Sequence, residues 1–114
     1  MDNISVITIN YNNAEGLKRT IKSILRQQNV DFEYIIVDGG STDGSLENLD
    51  DYGFDIDKLI IGKDDGLYDA LNIGIQHSTG KYLLLVHSGD QLFEPNTLAD
   101  LEQKYRNVEQ LLDT

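Results

Sequence analysis

Four short segments of this 114-residue chain carry residue types that can do chemistry. Asn10-Tyr11-Asn12 places amides around an aromatic ring, and Asp38-Gly39-Gly40 places one carboxylate ahead of two glycines. Lys63-Asp64-Asp65 sets a cation beside two carboxylates, and Ser88-Gly89-Asp90 sets a hydroxyl two residues before another. Carboxylates in such loops accept charge-assisted N–H bonds or hold a hard divalent cation through oxygen. A lysine among them meets a phosphate or pairs with a neighbouring aspartate. There is no cysteine, which removes disulfides, thiol catalysis, Cys-ligated zinc and iron–sulfur clusters.

Charge narrows the partners. Lys and Arg number 9 against 20 Asp and Glu, a net charge of −11. Such a surface disfavours nucleic acid and anionic membranes. An anionic ligand would need backbone N–H groups or a divalent cation as an intermediary. Familiar phosphate motifs are missing: neither G-x-G-x-x-G nor G-x-x-x-x-G-K-[ST] occurs, and the first strand ends in amides. Those amides also exclude a phosphoacceptor receiver, which needs an acidic pair there. No G-x-S-x-G marks a serine hydrolase.

The elements that position these loops alternate along the chain. Apolar runs Ile4–Ile9, Phe32–Val37, Asp57–Ile61 and Lys81–Val86 each end at a polar, mostly glycine-bearing loop and predict strands. Between them, Glu15–Gln28, Ser45–Tyr52 and Tyr68–His77 carry apolar residues at helical spacing. After Pro95, Asn96 or Thr97 can cap a helix to about Tyr105, and Val108–Asp113 fits a last strand or a frayed helix. This order predicts an α/β fold, a Rossmann-like parallel sheet with helices on both faces, in one domain over residues 1–114. Ligands of such sheets sit beyond the carboxyl ends of the strands, where all four segments fall. The N-terminus has no signal-peptide character and no run is long enough to span a bilayer, so the expected location is cytoplasmic, peripheral to the inner membrane at most.

The stretches Ser5–Asn12, Ile35–Ser45 (IIVDGGSTDGS), Lys63–Ile75 (KDDGLYDALNIGI) and Gly80-Lys81-Tyr82 leading into Ser88-Gly89-Asp90 resemble the inverting family 2 glycosyltransferases of GT-A fold, in a bacterial polysaccharide branch. The resemblance covers about residues 4–106. It implies the nucleotide-binding half of that fold, a nucleotide-diphospho-sugar donor with UDP the commonest carrier, Mn²⁺ or Mg²⁺, and a saccharide or lipid-linked acceptor. Carried over residue by residue, it places Thr8, Asn10 and Tyr11 beside the base, with Asp38 accepting hydrogen bonds from it. Asp38 also suits an Asx turn before Gly39-Gly40. Lys63, Asp65, Asp69 and Asn72 fall in the donor pocket, whereas Asp64 suits a solvated turn and Asp43 a first-turn helix carboxylate. Ser88, Gly89 and Asp90 occupy the place of the D-x-D metal motif. The first aspartate of that pattern is Ser88 here, which leaves Asp90 as the strong ligand.

His77 and His87 read as helix-capping or packing residues, and Tyr34, Tyr68 and Tyr82 as packing. An inverting transfer also needs a base for the acceptor hydroxyl. No second glycine-bracketed acidic motif follows Asp90, so the chain reads as a truncated donor half without its acceptor-binding half. The alternative is a non-catalytic nucleotide-binding or interaction module. Either would leave a sheet edge uncovered, open to self-association.

Overall fold

The computed structural model describes residues 3–53, 55–63 and 65–113. Strand β1 (Ile4–Asn10) leads to helix α1 (Ala14–Leu25), β2 (Phe32–Asp38), the short α2 (Ser45–Leu49), β3 (Lys58–Ile61), α3 (Leu67–His77), β4 (Tyr82–Leu85) and α4 (Thr97–Asp113). The four strands form one sheet in the order β3-β2-β1-β4, and every pairing is parallel. Two crossovers step outward from β1 and the third steps back across it. Right-handed connection therefore puts α1 and α2 on one face and α3 on the other.

The core divides accordingly. Ile4, Val6, Tyr34, Ile36 and Val86 pack with Leu17, Ile21 and Ile24 of α1, Leu49 of α2 and Leu98 of α4. On the opposite face Ile7, Ile35 and Val37 pack with Ala70 of α3. Strand residues alternate between these faces, so even numbers in β1 and β2 meet α1 and odd numbers meet α3. Helix α3 lies close: a Cβ on Gly74 would stand 2.7 Å from Ile7 Cγ2.

Helix ends differ from the sequence expectation for stated reasons. Helix α1 stops at Leu25 rather than Gln28 because the next residues bond elsewhere. The Gln28 N–H donates to Pro95 O, and the Gln27 amide donates to Glu94 O and accepts from Leu98 N–H. Beyond α2, residues Asp50–Tyr52 tighten into a 3₁₀ turn. Helix α4 continues through the segment left open between strand and helix. Its Tyr105 stacks on Tyr82 with ring centroids 4.8 Å apart.

At the amino end of the sheet, Glu33 ties four elements together. Its carboxylate accepts from Ser5 Oγ at 2.9 Å, Thr79 N–H at 2.9 Å and Thr79 Oγ1 at 3.1 Å, and it pairs with Lys58 Nζ at 3.2 Å. Burial pushes the carboxyl up, but these bonds outweigh it and the pKa falls below its ordinary 4.5. The folded state thus binds the proton less readily than the unfolded chain does. Glu33 contributes fully above pH 4.5, and its contribution is lost as the pH falls through the lowered folded-state value. Replacing Glu33 with Gln should cost about 1–3 kcal/mol near neutral pH. Thermal melts from pH 7 to 3 should converge for the two chains; parallel curves would refute this role.

Candidate functional site

The carboxyl rim is built by strand ends that the sheet brings side by side. Register pairs Asn10 of β1 with Asp38 of β2, and both side chains face α1. Asp38 is fully buried and its two oxygens take four donors. Oδ1 accepts from Gly40 N–H at 2.9 Å and Ser41 N–H at 2.7 Å. Oδ2 accepts from Asn10 Nδ2 and Ser41 Oγ, each at 2.9 Å. Ser41 Oγ in turn accepts from Asn12 N–H at 2.8 Å, and Asn12 Oδ1 accepts from Thr42 N–H at 2.8 Å. The loops after β1 and β2 are therefore one hydrogen-bonded unit. Asp43 extends it to α1, accepting from Ala14 N–H at 3.0 Å, and hydrogen bonds led by the Ser45 hydroxyl lower its pKa.

The loop after β4 is pinned to α1 and β1. Ser88 N–H donates to Ile9 O at 3.1 Å. Thr20 of α1 accepts from Gly89 N–H at 2.8 Å and donates to Asp90 O at 2.6 Å. Gly89 has φ +104°, a conformation that favours glycine and turns Asp90 outward. Asp90 is exposed, and its carboxylate meets no hydrogen-bond or ion-pair partner among the described residues.

Between these loops, on the α3 side, lies a cavity of about 490 Å³. Strand β1 contributes Ile9, Asn10 and Tyr11, and the β2 loop contributes Gly39. Lys63 and Gly66 line it from the loop after β3, Leu67 and Ala70 from α3, and His87 from the end of β4. It opens where the strand order reverses, since β4 lies on the far side of β1 from β2 and β3. Doubly wound sheets bind their ligands at this point.

The sequence-assigned residues divide around this cavity. Tyr11, Asn10 and Lys63 line it. Thr8 does not: it is fully enclosed and shares a 2.9 Å hydroxyl bond with buried Tyr34. Asp38 has no vacant acceptor site, so the base contact expected of it has no lone pair to use. It plays the turn role instead. Asp69 is engaged as a helix-end carboxylate, accepting from Asp65 N–H at 3.0 Å. Asn72 is exposed and lies about 200° around the helix from Ala70, away from the cavity. Asp65 is exposed and outside the lining; Asp64 lies outside the described residues. Ser88 Oγ faces Asn13 Nδ2 at 3.4 Å.

Other residues escaped the sequence reading. Ile9, Gly39, Leu67, Ala70 and His87 line the cavity. Strand alternation was the available signal, because Ile9 shares its face with Ile7 and Ile35, not with Thr8. Tyr34 and Tyr82 pack as expected, but Tyr68 is 83% exposed and packs against little.

Among the described residues, no three of His, Cys, Asp or Glu cluster to hold a metal ion. Among the described rim residues, Asp65 and Asp90 are exposed with unpartnered carboxylates, and Asp90 is the one that follows β4. This donor set suits a cation held by one carboxylate, with phosphate oxygens and water completing its shell, rather than an all-protein cage.

A parallel sheet with helices on both faces and a cavity at the reversal point defines a Rossmann-like α/β domain. The profile of Glycosyl transferase family 2 matches residues 5–109, so the chain belongs to that family. A PGL/p-HBAD biosynthesis glycosyltransferase of Mycobacterium bovis is 41% identical over 98 residues, covering 83% of this chain and 38% of that protein. An uncharacterised glycosyltransferase of Nostoc is 35% identical over 106 residues, covering 90% of this chain and 33% of its own. Among solved structures, S. aureus TarS 1–349 in complex with UDP-GlcNAc superposes with a TM-score of 0.81 at 25% identity, over 90% of this chain and 30% of that one. The mannosyltransferase from Pyrobaculum calidifontis in complex with GDP-Man and Mn²⁺ superposes with a TM-score of 0.76 at 25% identity, over 85% of this chain and 30% of that one. The chain thus spans about two-fifths or less of its relatives' length. No helix of the described residues is long and apolar enough to cross a membrane.

Replacing Asp38 with Ala should unfold the rim rather than merely weaken a ligand contact. It strands two backbone N–H groups and the Asn10 amide, a loss of about 3 kcal/mol or more. Urea denaturation should show a lower midpoint with an unchanged slope. A wild-type midpoint would return Asp38 to the ligand.

Proposed function

We propose that this chain is the donor-binding part of an inverting glycosyltransferase that uses a nucleotide-diphospho-sugar, with UDP as the carrier. The carrying observation is the cavity of about 490 Å³ at the carboxyl rim of a family 2 chain. Its volume falls within the usual range of small-ligand pockets. The UDP-GlcNAc bound to TarS supports the choice of nucleotide.

The residues divide the work by position. The Tyr11 ring, 64% exposed over the cavity, and the Ile9 and Gly39 walls suit the faces of a nucleobase. Lys63 suits a ribose or phosphate oxygen from the β3 side. At the β4 end, Asp90 would hold Mn²⁺ or Mg²⁺ together with the diphosphate. Such a cation, when bound, neutralises the negative charge that builds on the departing nucleoside diphosphate. Transfer breaks the bond between the anomeric carbon and that diphosphate while an acceptor hydroxyl, saccharide or lipid-linked, attacks from the opposite side. The hydroxyl proton needs a base. Among the described residues lining the cavity there is no carboxylate to take it.

A second reading, a nucleotide-binding module without transfer, is favoured by that missing base. Binding is common to both readings and acceptor-dependent product separates them. Calorimetry should detect UDP binding that strengthens with Mn²⁺. Asp90→Asn should remove most of that gain, and Ser88→Ala should matter less. No UDP binding with or without metal would reject the proposal. Incubated with Mn²⁺, labelled UDP-sugars and a panel of acceptors, the 114-residue chain should release at most slow hydrolysis product. General-base catalysis and acceptor positioning, each about 10² or more in rate, have no carboxylate to serve them among the described residues lining the cavity. Transfer at ordinary enzyme rates would contradict this.

The β4 edge adds a partner hypothesis. This strand is unpaired on its outer side, with Leu83 exposed. Open edges pair with other chains. Concentration-dependent self-association in light scattering is the expected result, and a monomer at millimolar concentration would count against it.

A further inference from the structure

We propose that His87 is a direct contact for the diphosphate of the donor, at the β4 end of the cavity. This rests on the nucleotide-sugar reading above and names a residue for it.

Three observations converge on His87. First, alternation along β4 puts its side chain on the α3 side. Leu84 and Val86 pack toward α1 whereas Leu85 packs with Ile7 and Ala70, so the next odd residue, His87, points the same way. Accordingly it lines the same cavity as Ile9 and Ala70. Second, its main chain is fixed. His87 O accepts from Asp90 N–H at 2.9 Å, and Ser88 N–H holds the following peptide to Ile9 O at 3.1 Å. The point at which the side chain leaves the main chain is therefore fixed beside the cavity. Third, the half-buried imidazole meets no hydrogen-bond or ion-pair partner among the described residues. Its ring nitrogens keep contact with solvent and are open to a ligand in the cavity.

The cavity's ionisable lining strengthens the case. The chain carries 20 carboxylates, yet the ionisable groups among the described lining residues are Tyr11, Lys63 and His87. Each can donate a hydrogen bond at neutral pH, and none is anionic. Strand order separates Lys63, after β3, from His87, after β4, by three strand spacings, roughly 14 Å. A nucleoside diphosphate laid along the rim would have its base side toward β2 and β3. Its phosphates would then lie toward β4, beside Asp90. A ring N–H from His87 suits a phosphate oxygen there, with or without a cation.

The test compares UDP with uridine, in chelator so that Asp90 adds nothing through a metal. Wild type, His87→Leu and His87→Gln are titrated by saturation-transfer NMR, with melting temperatures taken in parallel. His87→Leu should weaken UDP by about tenfold or more and leave uridine unchanged. His87→Gln, which keeps an N–H donor, should recover part of the loss. Equal weakening of both ligands, or a collapsed melting temperature in both variants, makes His87 a packing residue and overturns the assignment. Unchanged UDP affinity overturns it too. Failure of wild type to bind either ligand, in chelator and again with Mn²⁺, removes the nucleotide reading itself, a different outcome from the two above.

Discussion

The Asp38 carboxylate is the point on which the rim depends. A buried carboxylate is stable only when hydrogen bonds replace its hydration. Here four donors do so, two from the loop that follows and two from side chains of Asn10 and Ser41. Those donors belong to the ends of two neighbouring strands. Satisfying one charge therefore fixes the height and direction of both loops. The cavity wall at Tyr11 and Gly39 inherits its shape from that arrangement. One buried acceptor in this network, Asn10 Oδ1, has no partner among the described residues. Turning the amide over would not help, because it would set that oxygen against the Asp38 carboxylate.

The division of labour follows from the period of a strand. Side chains alternate between faces, and here one face holds the α1 helix close while the other opens into the cavity. Thr8, Asn10 and Asp38 share the first face; Ile7, Ile9 and Gly39 share the second. Reading the strand ends as one acidic rim merges these two sets. The family resemblance assigns ligand roles to Thr8 and Asp38 by their place at the strand ends, without regard to face. Polar type at a strand end is ambiguous between holding the loop and holding the ligand. Parity resolves the ambiguity, but only once a neighbouring strand shows which face a helix covers.

Most of the architecture was legible in the sequence for the same physical reasons that make it stable. The β-branched runs Ile4–Ile9 and Ile35–Val37 suit strands covered on both faces, and β1 and β2 are buried almost throughout, whereas the edge strands β3 and β4 leave Leu59, Ile61 and Leu83 exposed. The stripe Leu17, Ile21, Ile24 suits a helix on one face, and α1 buries it. Long-range bonds were not legible. Just past α1 the Gln28 N–H goes to Pro95 O and the Gln27 side chain bonds to Glu94 and Leu98, about seventy positions later, and no local pattern encodes that. Thr20 reads as part of an apolar stripe yet clamps the loop of Asp90. Tyr68 reads as packing because tyrosine at helical spacing usually is, but the helix begins with that turn outside the sheet's cover.

Electrostatics then connects sequence to chemistry in a way that net charge alone obscures. At −11 the chain as a whole repels a diphosphate. The repulsion acts over the surface, and salt screens it within about 8–10 Å. Local donors act at contact distance, where a few correctly placed N–H groups outweigh many screened carboxylates. The fold takes three of the rim's carboxylates out of that contact distance by using them. Asp38 is saturated, Asp43 binds α1, and Asp69 closes the start of α3. Asp90 remains free beside the β4 end of the cavity, where a cation would reconcile a carboxylate with an anionic ligand. The acidic composition and an anion-accepting cavity are therefore compatible, because hydrogen bonding within the rim decides which charges the ligand meets.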